Sequence, residues 1–307
     1  MELKQLSYFV TVAEEGTISG AARKLNLTQP PLSAQMKLLE QECGCLLFER
    51  GSRHIQLTEA GRMLYNRAVT MLELSSITRQ ELKDYREGTS GTLRLGVVSS
   101  VSSTLLTQIV CGFHRKHPQI AFELVEANTY QLLEQIHSNL LELAIVRTPF
   151  TGQGLESFRI LEEPMLAAGH NSFFESPCGT QPDDNSLYRK IALSQLDQKP
   201  LILYRRWEEI LQKQFRSAKV APYLFCKNDD ARTCALWADA GLGIAILPAS
   251  AAGLLRNPDT AIYEIDDHKL SSGICVVHNK DTWLSTIAKA FLSYLSNSFN
   301  SSSDLIS

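Results

Sequence analysis

The stretch Thr17-Ile18-Ser19-Gly20-Ala21-Ala22-Arg23-Lys24-Leu25-Asn26-Leu27-Thr28-Gln29-Pro30-Pro31-Leu32-Ser33 decides the fold of the N-terminal region. Thr17 is a good N-cap, because its hydroxyl can accept from a free backbone N–H in the first turn. Ile18, Ala21, Ala22 and Leu25 then fall on one small, closely packing face. Asn26 tolerates the left-handed conformation that ends a helix. Only Asn26 and Leu27 stand before Thr28, the N-cap of the next helix. Pro30 and Pro31 lie in that helix's first turn, where backbone N–H groups lack intrahelical partners and proline does little harm. Leu32, Met36 and Leu39 make its inner stripe, which leaves Gln29, Ser33, Ala34 and Lys37 outward. Two short helices joined by so tight a turn form a helix-turn-helix, whose second helix enters the DNA major groove.

Working outward, Leu6, Phe9, Val10 and Ala13 predict an amphipathic helix from about Leu3 to Glu14, stopped by Gly16. On the other side, Leu46–Arg50 and Ile55–Leu57 read as two short strands around residues 51–54, a wing. The chemistry suits DNA. Gln29 offers an amide to adenine, Ser33 a hydroxyl to base or phosphate, and the rings of Pro30 and Pro31 apolar contact to a thymine methyl. Thr28 and Lys37 flank them. Arg50 and Arg53 are placed to neutralise phosphates or reach a minor groove. Helical spacing alone fits a plain helical bundle equally well.

Bulk charge lends no support. The chain carries a net charge of −3, and its first sixty residues set Lys4, Arg23, Lys24, Lys37, Arg50 and Arg53 against seven carboxylates. With 307 residues, two or more cores are expected. No run approaches the roughly 20 apolar residues that span a bilayer, and no basic segment with an apolar run opens the chain, so a cytoplasmic protein with no membrane partner is expected. Seven cysteines, scattered and without a C-x-x-C pair, suggest neither a disulfide framework nor a zinc site. No metal or cofactor is expected.

The run Phe9, Ala13, Gly16, Ser19-Gly20-Ala21-Ala22, Leu25, Thr28 to Ser33, Gln35, Leu39-Glu40, Leu46 to Arg50 and Leu57-Thr58-Glu59-Ala60-Gly61 closely resembles the LysR-type transcriptional regulators, ungapped over about sixty residues. Ala34 departs from the pattern, since many members carry a larger polar or basic side chain there; a contact made there in relatives is missing here. The resemblance implies a sequence-specific regulator of double-stranded DNA, working as a homodimer or homotetramer, controlled by a small-molecule effector and acting on RNA polymerase.

From Thr58 to about Glu87 no proline interrupts a helical pattern. Ala60, Leu64, Ala68, Met71, Ser75, Thr78, Leu82 and Tyr85 recur in steps of four and three, a heptad-like seam. The seam fits either pairing with a second subunit or packing on its own domain. Pairing is the expectation, with Leu64, Ala68, Met71 and Leu82 as the dimerising residues, and the resemblance agrees. Residues 88–92 form a polar, glycine-punctuated hinge.

Beyond the hinge, strands at Leu93–Val98, Ile120–Val125, Leu143–Val146, Met165–Ala167, Leu201–Tyr204, Tyr223–Phe225, Ile244–Leu247 and Gly273–Val277 alternate with helical patterns at about 103–116, 131–139 and 282–296. Such alternation implies a mainly parallel sheet covered on both faces. The polar tail from Asn297 is expected to lack structure. The resulting fold class is α/β with an N-terminal all-α winged helix-turn-helix, a long linker helix and a two-lobed effector domain similar to periplasmic binding proteins. The divisions are 1–58 (DNA-binding), 59–87 (linker helix), 93–163 with 267–300 (lobe I) and 164–266 (lobe II). The resemblance puts the chain crossings near 163 and 267 and the effector between the lobes.

Physics gives the same address, since ligands of open parallel sheets sit beyond the carboxyl ends of the strands. Ser99, Ser100, Ser102 and Ser103 follow the first strand, Asn128 and Thr129 the second, and Arg147 ends the third. Hydroxyls, helix-start N–H groups and a guanidinium suit a small carboxylate, and Leu203 and Tyr204 can cover an apolar or aromatic body. Each has a plainer reading: the serines as helix caps, Arg147 paired with Glu162, Glu163 or another acid at the hinge, Tyr204 as core. An enzyme is not expected, because no G-x-G-x-x-G after a strand, P-loop, G-x-S-x-G or H-E-x-x-H occurs. A stand-alone solute-binding protein and a redox sensor using Cys226 and Cys234 are the rival readings.

Overall fold

In a computed structural model, the described residues are 1–49, 55–87, 91–101, 105–174 and 187–299. They form two compact units, Met1–Gly88 and Thr89–Ser307.

In the first unit, helices α1 (Leu3–Glu15), α2 (Ile18–Lys24) and α3 (Gln29–Cys43) precede the long α4 (Glu59–Glu87). The capping chemistry places the breaks. Gly16 ends α1 at φ +64°, and Thr17 Oγ1 accepts from Gly20 N at 3.1 Å to open α2. Asn26 takes φ +54°, so the turn before α3 stays at the predicted length. Thr28 holds the N-cap position of α3 through its backbone only. Leu6, Phe9, Val12, Ala21, Leu32, Met36 and Leu39 close one core, with Leu47 and Ala68 packed into it. Each large apolar side chain so buried contributes about 1.5–3 kcal/mol.

The described part of the wing is one antiparallel bridge, Phe48 to Leu57, with Glu49 N donating to Gln56 O at 2.9 Å. Glu40 fastens its base by accepting from Leu47 N at 2.8 Å and Phe48 N at 3.2 Å. Thr58 Oγ1 caps α4 through Gly61 N at 3.0 Å. Gly61 must be glycine: a Cβ there would lie 2.1 Å from Leu47 O.

The second unit is one ten-stranded sheet in two halves. In the first half, β1 (Gly91–Val97) pairs in parallel with β2 (Ile120–Glu126) and β3 (Leu143–Arg147). Helices α5 (Leu105–Lys116) and α6 (Thr129–His137) lie between these strands in sequence. In the second half, β6 (Pro200–Tyr204) pairs in parallel with β7 (Tyr223–Asn228) and β8 (Ile244–Pro248), with α7 (Glu208–Ala218) and α8 (Ala231–Asp239) between them.

One long strand joins the halves. From Leu155 to Pro164, β4 (Leu155–His170) pairs with β10 (Ser271–Asn279) of the first half. From Met165 onward it pairs with β8 and with β9 (Thr260–Ile265), which also pairs with the short β5 (Arg189–Ile191). Each half has its own core, one centred on Phe113, Ile145 and Phe291, the other on Trp207, Leu211 and Ile246. These are the two lobes.

Several expectations need correction here. The strand expected at Met165–Ala167 is part of a sixteen-residue strand, and β5 and β9 were missed. The last helix, α9, runs Thr286–Phe299, so Asn297 belongs to it rather than to a structureless tail. Arg50, Arg53, Ser102, Ser103 and most of the hinge lie outside the described residues.

Candidate nucleic-acid interface and interlobe cleft

The outward face of α3 carries the side chains expected there. Thr28, Gln29, Pro30, Pro31 and Lys37 are exposed and Ser33 is half-buried, while Leu32, Met36 and Leu39 face the core. Ser19, on α2, donates to Gln29 Oε1 at 3.0 Å, which steadies the amide at the head of the recognition helix. The surrounding carboxylates are largely engaged within the unit. Glu14 and Glu15 pair with Lys24, Glu42 with the N-terminal ammonium, and Glu40 with backbone N–H groups. Hydrogen bonds that Lys24 donates to Glu15 and Glu14 raise its ammonium above the ordinary lysine value.

The seam expected on α4 is displaced in its first half. Ala68 is fully buried in its own unit's core, and half-buried Leu64 packs against that core. Helical spacing shows that a face is apolar, not what covers it. Among the described side chains of α4, the large apolar ones left exposed are Met63, Val69, Met71, Leu74 and Leu82.

Arg147 also needs correction. It ends β3 fully buried and meets Glu163 in an ion pair. Its Nε donates to Ser100 Oγ at 2.7 Å, Nη1 to Ser272 Oγ at 2.9 Å, and Nη2 to Ser250 Oγ at 2.7 Å. Glu163 further accepts from Ser250 N at 2.6 Å and Ser250 Oγ at 3.0 Å. The acid that Arg147 holds is thus Glu163, on β4 one residue before the Pro164 where the sheet changes halves. Ser100 serves that network. Leu203 belongs to the core of the second lobe, and Thr129 is buried with its Oγ1 unpartnered.

A cavity of about 440 Å3 opens where the strand ends of the two lobes meet. Val98, Ser99, Glu126 and Asn128 line it from the first lobe, Tyr204 and residues 227–230 from the second. Of the effector residues expected from sequence, Ser99 and Tyr204 reach this cavity. Burial raises the Tyr204 phenol above its ordinary value, which keeps it a neutral donor. Asn128 caps α6 by accepting from Gln131 N at 3.0 Å.

Sequence reasoning missed the charged groups that hold the cavity's acidic lining and that bridge the lobes. Arg232, at the start of α8, reaches across to Glu126 with two hydrogen bonds of 2.6 and 3.1 Å and also holds Asp230 at 2.9 Å. Burial works to raise Asp230, but the hydrogen bonds from Arg232 bring it below the ordinary carboxylate value. Arg205 pairs with Asp229, and Lys227 with Glu208. Arg206 crosses from the second lobe to the backbone carbonyls of Arg147 and Pro149. The available signal was a pair of arginines directly after an apolar strand, and an Asp-x-Arg opening a helix.

Cys226 is half-buried and Cys234 buried. Burial pushes the Cys234 thiol up to about 12, far from the thiolate that an oxidant attacks. Among the described residues no helix is long and apolar enough to cross a membrane.

Comparison with known proteins agrees with this geometry. Residues 3–62 match the family described as bacterial regulatory helix-turn-helix protein, lysR family, and residues 86–300 the LysR substrate binding domain. The HTH-type transcriptional regulator BudR of Raoultella terrigena is 31% identical over 283 residues, covering 90% of this chain and 94% of its own. The HTH-type transcriptional regulator ClcR of Pseudomonas putida is 26% identical over 300 residues, covering 96% and 98%. Among solved structures, CbnR, a LysR family transcriptional regulator, superposes with a TM-score of 0.78 at 25% identity over 97% of this chain and 99% of its own. Full-length CbnR complexed with its target DNA gives 0.79 at 25% identity over 97% and 100%.

Proposed function

This chain belongs to the LysR family of transcriptional regulators, and on that premise we propose that it reads an operator through α3 and tunes that reading to a small anionic effector held between its two lobes. The coarser statement, a DNA-binding regulator with a substrate-binding domain, follows from family membership. The finer one is supported by a single observation: a cavity at the carboxyl ends of β1, β2, β6 and β7, with polar groups from both lobes around it. A ligand that touches both lobes favours the arrangement in which both sets of contacts are made, and so shifts the balance between arrangements.

We assign DNA contacts to Thr28, Gln29, Pro30, Pro31, Ser33 and Lys37, with Arg50 and Arg53 on the wing. Residues 1–58, 59–87, 93–163 with 267–300, and 164–266 are the working divisions. Pairing of subunits through α4 is supported by the exposed Met71, Leu74 and Leu82, and would present two recognition helices to two half-sites. Exposed Leu124 on edge strand β2 and Tyr223 to Phe225 on edge strand β7 favour further contact between copies. The promoter-bound oligomer would then act on RNA polymerase.

The test does not require the operator to be identified first. DNA selected by the full-length protein from a random pool is titrated with wild type, Gln29→Ala and Arg53→Ala over a range of salt. Gln29→Ala should lose discrimination between selected and random DNA, whereas Arg53→Ala should weaken both and flatten the salt slope. A Gln29→Ala variant weakened equally on both DNAs contradicts the assignment.

A further inference from the structure

The interlobe cavity is lined by an uneven set of charges. Glu126 brings a carboxylate from the first lobe, Asp229 and Asp230 bring two from the second, and among the described lining residues Lys227 alone brings a cation. The guanidinium groups that hold these acids belong to Arg232 and Arg205, neither of which lines the cavity. Glu208, which holds Lys227, also stands outside the lining. A ligand in the cavity therefore meets three carboxylates and one ammonium first, and their partners only behind them. Pairing does not exhaust these acids. A carboxylate offers about four acceptor sites, yet Arg232 takes one on each oxygen of Glu126, and Arg205 takes one on Oδ1 of Asp229.

A second feature points to a ligand independently of that charge. Tyr204 ends β6 only 6% exposed, and it lines the same cavity. Among the described residues none hydrogen-bonds its hydroxyl, and the oxygen is not one of the side-chain atoms sealed from solvent. A buried tyrosine hydroxyl ordinarily finds a partner. Here the phenol stays neutral, with its O–H open to the space that the side chain lines.

We propose that the effector carries a protonated nitrogen as well as its acid, as an amino acid does: the nitrogen faces Glu126, Asp229 and Asp230, and the acid takes the Tyr204 hydroxyl and the Lys227 ammonium. The assignment rests on the cleft being the effector site, and it narrows the class of ligand that fits. A molecule with an acid alone sets its charge among three carboxylates, whereas the nitrogen turns the same lining from repulsive to attractive. The contact also couples binding to lobe arrangement. Glu126 belongs to the first lobe and Asp229 and Asp230 to the second, and an ammonium has three donors to divide between them. A nitrogen bound to both sides favours the arrangement that keeps the lobes together.

Thermal unfolding of the full chain tests this at pH 7 and constant ionic strength. One set of probes is 2-aminopentanoate, pentanoate and butylamine; the other is phenylalanine, 3-phenylpropanoate and 2-phenylethylamine. In each set the second compound lacks the nitrogen and the third lacks the acid. Apparent affinities follow from the rise in melting temperature with ligand concentration. Wild type should bind at least one amino acid about tenfold or more tightly than either of its fragments. Glu126→Gln should cut the preference for that amino acid over its acid by about two- to fivefold, the range of one partly exposed ion pair, and Glu126→Gln with Asp229→Asn by more. Glu123→Gln, which removes a charge from the same strand outside the lining, should leave the preference unchanged. Tyr204→Phe should weaken the amino acid and the acid alike and spare the amine. If the acid binds wild type as tightly as the amino acid, the cleft stands as an anion site and the nitrogen is excluded. If the preference survives in the double variant, or Glu123→Gln lowers it as much, this lining does not read the nitrogen and the proposal fails. If the amine matches the amino acid, or no compound protects wild type, the anionic reading of the cleft and the proposal both fail.

Discussion

Replacing Glu163 by Gln removes the charge facing Arg147 while nearly preserving shape, and its cost can be worked out. Arg147 is fully buried and Glu163 nearly so, and both also bond Ser250. Losing one member of a buried pair costs about 3–5 kcal/mol, because the other charge stays behind uncompensated. The three serine hydroxyls around Arg147 remain, which favours the lower end. For a cooperative unit of about 150–250 residues, each kcal/mol moves the melting temperature by roughly 2–4 °C. The Thr89–Ser307 unit should therefore melt roughly 6–20 °C lower by calorimetry. Removing both charges together, as in Arg147→Met with Glu163→Leu, should recover most of that loss, since a buried pair exchanged for apolar side chains is often neutral. A Glu163→Gln protein melting within about 2 °C of wild type would refute the reasoning and reopen Arg147 as a residue that binds an external acid.

The displaced seam on α4 makes its own prediction: Met71→Glu should dissociate the oligomer in sedimentation equilibrium with the first unit still folded, whereas Ala68→Glu should unfold that unit through its buried site. Dissociation by Ala68→Glu of an otherwise folded protein would restore the seam read from sequence. For pH, Asp230 has a folded value below its ordinary 3.8, so the stability it adds is fully present above that value and disappears as pH falls through the folded one. Urea titrations of wild type and Asp230→Asn should therefore converge as pH drops from about 6 towards about 3; curves that diverge on acidification contradict the pairing. With its thiol near 12, Cys234 carries a thiolate fraction of only about 10⁻⁴ at pH 8. Iodoacetamide should modify exposed Cys43, Cys45 and Cys111 and spare Cys234 in the native protein, and prompt native-state labelling of Cys234 would reopen the redox reading.

The parts legible in the sequence are those whose contacts are local. Thr17, Asn26 and the stripe Leu32, Met36, Leu39 act within a turn or two, and each turned up in its expected place. The linker seam was only half legible, because the same spacing that offers Met71 to solvent turns Ala68 into its own unit's core one turn earlier. Strand β4 was read as a fragment because Glu162-Glu163-Pro164 interrupts its apolar pattern at the point where it passes from one lobe to the other. Arg147 could be placed at a strand end, but its partners come from the turn after β1, from β4 and β10, and from the turn after β8, up to 125 positions away. Its acid was open between Glu162, Glu163 and another acid at the hinge, and only the fold selects Glu163. Arg206 offered only its place in an arginine pair after an apolar strand, because its acceptors, the carbonyls of Arg147 and Pro149, lie 59 and 57 positions away.

The distribution of charge between the lobes also says which contacts yield first. At the crossing, the Arg147–Glu163 pair is buried and tied to Ser100 and Ser272 on one side and Ser250 on the other, so breaking it costs several kcal/mol. At the cavity mouth, Arg232 and Glu126 are each more than a third exposed, and such a pair is worth about 0–1 kcal/mol. The bonds from Arg206 to two carbonyls add little more once solvent can replace them. A ligand must supply about 5.5 kcal/mol of differential binding to turn a two-state balance from 1:99 to 99:1. A few charge-assisted contacts can reach that sum against the mouth, but not against the crossing as well. Were the lobes to part, the contacts of Arg232 with Glu126 and of Arg206 with its carbonyls are expected to yield before the Arg147–Glu163 pair.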